Sequence, residues 1–140
     1  MQLNIFKEKP IHLPRKRLNL LFYKIASKEL SKKSKGVINL IFTTDKQMHE
    51  FNKSFRNKDR STDVLSFNID EPENDNSIFG EIYISVNMAK KQAISYNASL
   101  TEETLRLSCH GMLHLMGYDH IKKNDTKRMK EKEKFYLSQV

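Results

Sequence analysis

The chain has 140 residues, enough for about one domain with a core that needs no metal or disulfide staple. Its 38% hydrophobic and 30% charged content, with four Gly and three Pro, excludes collagen-like, linker-like and low-complexity classes. The net charge of +8 gathers at the ends: residues 1–36 carry ten Lys/Arg against two Glu, residues 37–121 eight against twelve acids, and residues 122–140 seven against three. No stretch approaches the ~18 apolar residues of a membrane span, and Met1–Pro10 lacks the run of ~7–15 apolar residues of a secretory leader. The single cysteine forms no internal disulfide. These features predict a soluble cytoplasmic domain. Its basic ends suit a polyanion such as RNA, DNA or an acidic membrane surface, or they are only a solvated helix face.

In chain order, Gln2–Phe6 alternates polar and apolar residues and predicts a short strand. Pro14 suits a helix start. Leu18, Leu21, Phe22, Ile25 and Leu30 follow at near-helical spacing, with Arg15, Lys16, Lys24 and Lys28 on the other faces. Ser31–Gly36 is a polar break, and Val37–Phe42, rich in β-branched residues, predicts a buried strand. Thr44 with Gln47 forms a capping box for a helix lined by Met48, Phe51 and Phe55. Val64–Asn68 predicts a third strand, Glu71–Ser77 an acidic exposed loop, and Phe79–Ser85 a fourth strand with Ile82 and Ile84 on one side. Asn87 caps a helix to about Tyr96. Thr101, with Glu102 and Glu103 at the positive end, opens a helix that runs to Met116 and stops at Gly117. A basic amphipathic helix follows, from about Asp125 to Ser138. The order predicts an α+β fold in a single domain, residues 1–140, with a small mixed sheet of about four strands packed by helices.

The chemistry is concentrated in residues 110–120. Three of the five histidines fall there, His110, His114 and His120, in the pattern H-x-x-x-H-x-x-G-x-x-H. Residues four apart share one helix face, so two imidazoles converge on an ion at ~2.0–2.1 Å from each nitrogen. Gly117 ends the helix in the left-handed conformation and returns the chain, delivering His120 as a third ligand. Three histidine ligands leave a coordination position open for water, the pattern of a catalytic zinc. Zinc suits neutral imidazole best; copper, nickel or iron would also accept these ligands.

This spacing is also that of the metzincin proteases, with one change: the glutamate that serves them as general base is replaced by Gly111. The geometry points to a hydrolytic metal site, and residue 111 argues against peptide hydrolysis. Asp119, beside the last ligand, is either an orienting group or base, or the cap of the final turn.

The run His110-Gly111-Met112-Leu113-His114-Leu115-Met116-Gly117-Tyr118-Asp119-His120 resembles the signature of the YbeY family, bacterial metal-dependent endoribonucleases of ribosomal RNA maturation and ribosome quality control. Asn52–Asp59 followed by Ser61-Thr62-Asp63-Val64-Leu65-Ser66-Phe67 is similar to the family's second motif, and Phe79–Ser85 to its third. The resemblance implies a zincin-like α+β fold, zinc held by His110, His114 and His120, and an essential catalytic role for Arg56. It further implies single-stranded and ribosomal RNA as substrate, with the ribosome or its proteins as partners and neither DNA nor membrane among them. An arginine suits that role, because its planar fork of donors matches phosphate oxygens and keeps its charge. Two positions depart from the family pattern. Position 81 is Glu where the third motif commonly has Asp, and position 60 is Arg where a small or kinking residue is more usual.

Other residues read as structural. Cys109, with Leu105, Met112, Leu113 and Met116, fits a buried stripe. His12 and His49 read as surface histidines. Asp63 orders the loop carrying Arg56 or starts a strand, and Tyr118 packs under the metal turn or stacks on a base. In the mechanism expected from this reading, zinc acidifies a water and polarises a phosphate oxygen, Arg56 neutralises developing charge, and Lys/Arg of the first and last helices hold the RNA backbone. Either water or the ribose 2′-OH attacks. A non-catalytic RNA- or ribosome-binding factor with a zinc site, or a metal-dependent hydrolase of another substrate, fits the same residues.

Overall fold

The computed structural model describes residues 1–30, 35–69 and 78–140. Among these the chain forms β1 (Gln2–Lys7), α1 (Arg15–Glu29), β2 (Val37–Thr43), α2 (Asp45–Arg56), β3 (Val64–Asn68), β4 (Ile78–Ser85), α3 (Val86–Ser95), α4 (Leu100–Leu115) and α5 (Lys123–Leu137). The acidic segment Glu71–Ser77 and most of the break at Ser31–Gly36 lie outside the described residues. No helix among those described is long and apolar enough to cross a membrane.

The four strands make one mixed sheet in the order β1-β2-β4-β3. β1 and β4 run parallel to β2, and β3 runs antiparallel to β4 at the edge. Parallel neighbours cannot be joined by a tight hairpin, and α1 supplies the crossover between β1 and β2. The apolar run of β2 occupies a central position, paired on both sides and buried on both faces.

Alternation along the strands sends Ile38, Leu40, Phe42, Ile82 and Ile84 to one face, where each is fully buried. Leu18, Leu21, Phe22 and Ile25 of α1 and Leu105, Met112 and Leu113 of α4 close over that face. Met129 and Tyr136 of α5 complete the layer. The opposite face meets α2, where the Phe51 ring lies 4.7 Å from that of Tyr83.

The predicted elements are present, with local differences. Pro14 sits at the N-cap, so α1 starts at Arg15. α3 is capped by Ser85 and not by Asn87: β4 runs directly into the helix, and the Ser85 hydroxyl accepts from Met88 N at 3.0 Å. Asn87 Oδ1 instead accepts from Asp45 N, 3.2 Å away. The cap of α4 is Ser99, which accepts from Glu102 N at 3.0 Å, so the helix begins before Thr101. Of the two acids in its first turn, Glu103 is buried and paired with Arg106. On α2, Met48 is buried but Phe55 is 67% exposed; its ring packs at the surface 5.4 Å from Phe67.

Candidate metal centre

α4 carries His110 and His114 one turn apart, and the end of the helix is built to bring back a third imidazole. Gly117 has φ +99°, with its N–H donating to His114 O and the N–H of Tyr118 to Leu113 O, both at 3.1 Å. These two bonds satisfy carbonyls that the helix terminus would otherwise leave open. A Cβ at Gly117 would meet nothing within 4 Å, so the backbone conformation, and not space, calls for glycine. The reversed chain presents His120, and the ligand atoms of His110, His114 and His120 all lie within 4.8 Å of one another.

Hydrogen bonds from outside the triad decide how two of the rings face inward. His114 Nδ1–H donates to the Tyr118 carbonyl at 2.9 Å, and His110 Nδ1–H donates to Glu133 Oε1 at 2.5 Å. With both protons on Nδ1, the two Nε2 lone pairs point at each other across 3.0 Å. Facing lone pairs repel unless a cation lies between them. Two ligands of a tetrahedral zinc stand about 3.3 Å apart, given bonds of ~2.0–2.1 Å. The donor set therefore fits a divalent transition-metal ion. Burial, and then the neighbouring His110, push the His114 imidazole below its ordinary pKa, which keeps it in the neutral form that ligates metal.

The triad opens into a cleft of about 610 Å³ lined by His110, His114, His120, Asp119, Arg56 and residues of β3. Ser66 Oγ donates to Gly111 O at 2.9 Å and Asn68 Nδ2 to Leu115 O at 3.0 Å, lacing this edge strand to the histidine helix. Arg56 ends α2 on the other side. Asn57 follows in the left-handed conformation at φ 55°, and Lys58 N–H donates to the carbonyl of buried Asn52. Asn52 Nδ2 then holds Arg60 O at 2.9 Å, and Asp45 accepts from the hydroxyls of Ser61 and Ser85. The arginine thus stands at the helix end, where the following loop is pinned, while its own side chain is exposed. Such an arrangement can hold a metal and a phosphate within one cleft.

The sequence model of the family described as Endoribonuclease YbeY matches residues 4–140. The chain belongs to the YbeY family. A protein of Desulfitobacterium hafniense named Endoribonuclease YbeY is 39% identical over 111 residues, spanning 74% of this chain and 71% of its own. The protein of that name from Clostridioides difficile is 40% identical over 108 residues, with the same two shares, 74% and 71%. A Thermotoga maritima protein solved in solution superposes with a TM-score of 0.63 at 31% identity, covering 97% of this chain and 87% of its own.

The two departures from the YbeY motifs lie away from the histidines. Glu81 points to the α2 side of the sheet, where it accepts from Asn39 Nδ2 at 3.2 Å and from the Tyr83 hydroxyl at 3.3 Å. Arg60 sits in the turn after α2, and neither residue lines the cleft. Asp63 immediately precedes β3, its Oδ1 accepting from Val64 N at 2.8 Å and its Oδ2 from Gln92 Nε2 at 3.3 Å. Asp119 Oδ1 accepts from Ile121 N at 3.2 Å, the turn-capping arrangement. Cys109 is core, and burial pushes its thiol far up. Outside the cleft, His49 pairs with Asp59 on the surface at 2.7 Å, and His12 is exposed.

Sequence reasoning passed over two carboxylates that serve this YbeY centre. Glu133 holds His110, and Glu29 holds the metal turn: its carboxylate accepts from the hydroxyls of Tyr118 at 2.9 Å and Tyr136 at 2.5 Å, with Lys132 Nζ at 3.3 Å. Tyr118 is therefore anchored in the protein, as the packing reading expects. A signal was available. Glu29 follows Ile25 by one turn on the buried stripe of α1, and Glu133 stands between Met129 and Tyr136 on that of α5. A carboxylate on an apolar stripe needs a buried donor.

Proposed function

We propose that this protein is a zinc-dependent endoribonuclease that cuts single-stranded RNA, acting in the cytoplasm on ribosomal RNA during its maturation and in ribosome quality control. Residues 1–140 act as one unit in this reading. The observation that carries it is the pairing, in one cleft, of inward-facing His110, His114 and His120 with the exposed guanidinium of Arg56. Membership of a family whose relatives bear the name endoribonuclease supports the choice of substrate.

His110, His114 and His120 would hold the ion, and zinc suits three neutral imidazoles. The ion supplies Lewis acidity toward a phosphodiester oxygen. Arg56 presents its planar fork to the same phosphate and offsets the negative charge that grows there during cleavage. Gly111 gives the site no carboxylate of the metzincin kind, which favours a phosphodiester over a peptide as the substrate.

The RNA backbone has a surface to follow. Lys123, Lys127, Lys130 and Lys134 recur at helical spacing along α5, are exposed, and line one shallow groove with Asn124, Thr126 and Glu131. α1 adjoins this helix, with Lys28 Nζ lying 4.3 Å from the Phe135 ring centre. Such a surface gives affinity through phosphates without reading bases and suits the ribosome as a partner.

Cleavage of end-labelled single-stranded RNA by purified protein tests the proposal, with His114→Ala purified identically beside it. The native protein is expected to cut and the variant not. Equal cutting by both assigns the activity to contamination and overturns the reading. So does an intact RNA after incubation of native protein with both free RNA and isolated ribosomal subunits.

A further inference from the structure

Glu133 reaches the centre from outside the histidine run. Its neighbours on the inner face of α5 are Met129 and Tyr136, 1% and 0% exposed, and its own side chain is 15% exposed. A carboxylate drawn this far from water needs a donor, and the position supplies His110 Nδ1–H at 2.5 Å. Among the described residues, no Lys or Arg forms an ion pair with it. The interaction does more than satisfy Glu133. It settles which nitrogen of His110 carries the proton, and it turns the Nε2 lone pair toward His114 Nε2, 3.0 Å away. His114 is oriented in the same sense by a neutral group, the Tyr118 carbonyl. The two rings are thus backed unequally, one by a charge and one by a dipole.

We propose that Glu133 is a positioning residue of the metal centre: it locks His110 in the Nδ1–H form and strengthens Nε2 as a ligand, without touching metal or substrate. The proposal rests on the reading of His110 as a metal ligand and is independent of what the centre cleaves. An anionic partner on the far nitrogen raises the electron density that the ring offers an ion, and loss of such a partner costs ~10–100-fold in metal affinity. A neutral amide can still accept from Nδ1–H, so glutamine retains the orientation but not the charge.

The test is a Co²⁺ titration against a chromophoric chelator, reading affinity and visible spectrum, on native protein, Glu133→Gln, Glu133→Ala and Glu131→Gln. The last removes a charge from the exposed side of the same helix. Circular dichroism of the metal-free proteins reports whether each is folded. The expected order of affinity is native and Glu131→Gln together, then Glu133→Gln weaker by ~10–100-fold, then Glu133→Ala, with the cobalt bands moved only in the two Glu133 variants. Native affinity and an unmoved spectrum in both Glu133 variants would overturn the proposal and leave the metal centre standing, as would an equal loss in Glu131→Gln. Absence of Co²⁺ binding by the native protein overturns the metal centre itself.

Discussion

The hydroxyl of Tyr118, in the turn that returns His120, donates to Glu29 Oε2 at the end of α1 across 2.9 Å. The same carboxylate accepts from Tyr136 and pairs with Lys132, both on α5. One side chain therefore ties the metal turn to two helices. Burial works to raise the Glu29 carboxyl, but the hydrogen bonds from Tyr136, Tyr118 and Lys132 outweigh it and hold the group below its ordinary pKa. The folded state then binds fewer protons than the unfolded one in acid. The stability it contributes is full above about pH 4.3, the ordinary glutamate value, and is lost as pH falls through the lower folded value. Thermal melts of metal-free protein from pH 7 to pH 3 should show a steep acid loss in the native chain and a shallower one in Glu29→Gln. Equal slopes would remove Glu29 from the acid response.

Packing leaves no room for a side chain at Gly111. A Cβ there would stand 2.6 Å from Ile82 Cγ2 and 3.2 Å from both Val64 Cγ2 and Ser66 Oγ. Ile82 is fully buried and β-branched, so it has little room to yield. Gly111→Ala is expected to destabilise by about 1–3 kcal/mol, read by denaturant titration. The clash also explains the missing protease glutamate. A side chain at 111 is directed into the sheet, and Gly111→Glu should unfold the protein without conferring peptide cleavage in a casein assay.

Arg56 offers a cleaner separation of folding from chemistry. Its side chain is exposed, and the loop behind it is held by Asn52 and Asp45. Arg56→Ala should leave Tm nearly unchanged while RNA cleavage falls by about 10²–10³-fold, the usual cost of removing a preorganised donor to developing charge. Arg56→Lys should restore only part of the rate, since an ammonium lacks the fork. A variant that cleaves at the native rate would remove Arg56 from the mechanism.

The lysines of α5 predict a salt dependence. Removing one lysine that neutralises a phosphate should lower the slope of log K against log salt by about 0.7 for a single strand. Lys127→Gln with Lys130→Gln should therefore flatten the slope by about 1.4 units, measured by filter binding with the inactive His114→Ala background. An unchanged slope would assign those lysines to solvation alone.

What the sequence disclosed follows the range of each interaction. The triad was legible because four-residue spacing and one glycine suffice to converge His110, His114 and His120. The strands were legible because burial imposes alternation or a continuous apolar run. Caps were misassigned by a residue or two, since Ser85, Asn87, Ser99 and Thr101 are all competent acceptors, and the point where β4 breaks into α3 decides between the first pair. Glu29 and Glu133 were not read as functional because their partners lie far along the chain. Arg56 stood out only through its motif. Nothing in the local pattern of α2 distinguishes it from the other exposed cations, and only the fold brings it to the histidine cleft.

The placement of Glu133 on the last helix has a consequence for synthesis. A chain emerging from the ribosome presents Arg56 first, then His110, His114 and His120, and α5 after all of them. The three histidines thus precede in the chain both the carboxylate that backs His110 and the lysine row beside it. Docking of Met129 and Tyr136 into the core is what carries Glu133 to His110.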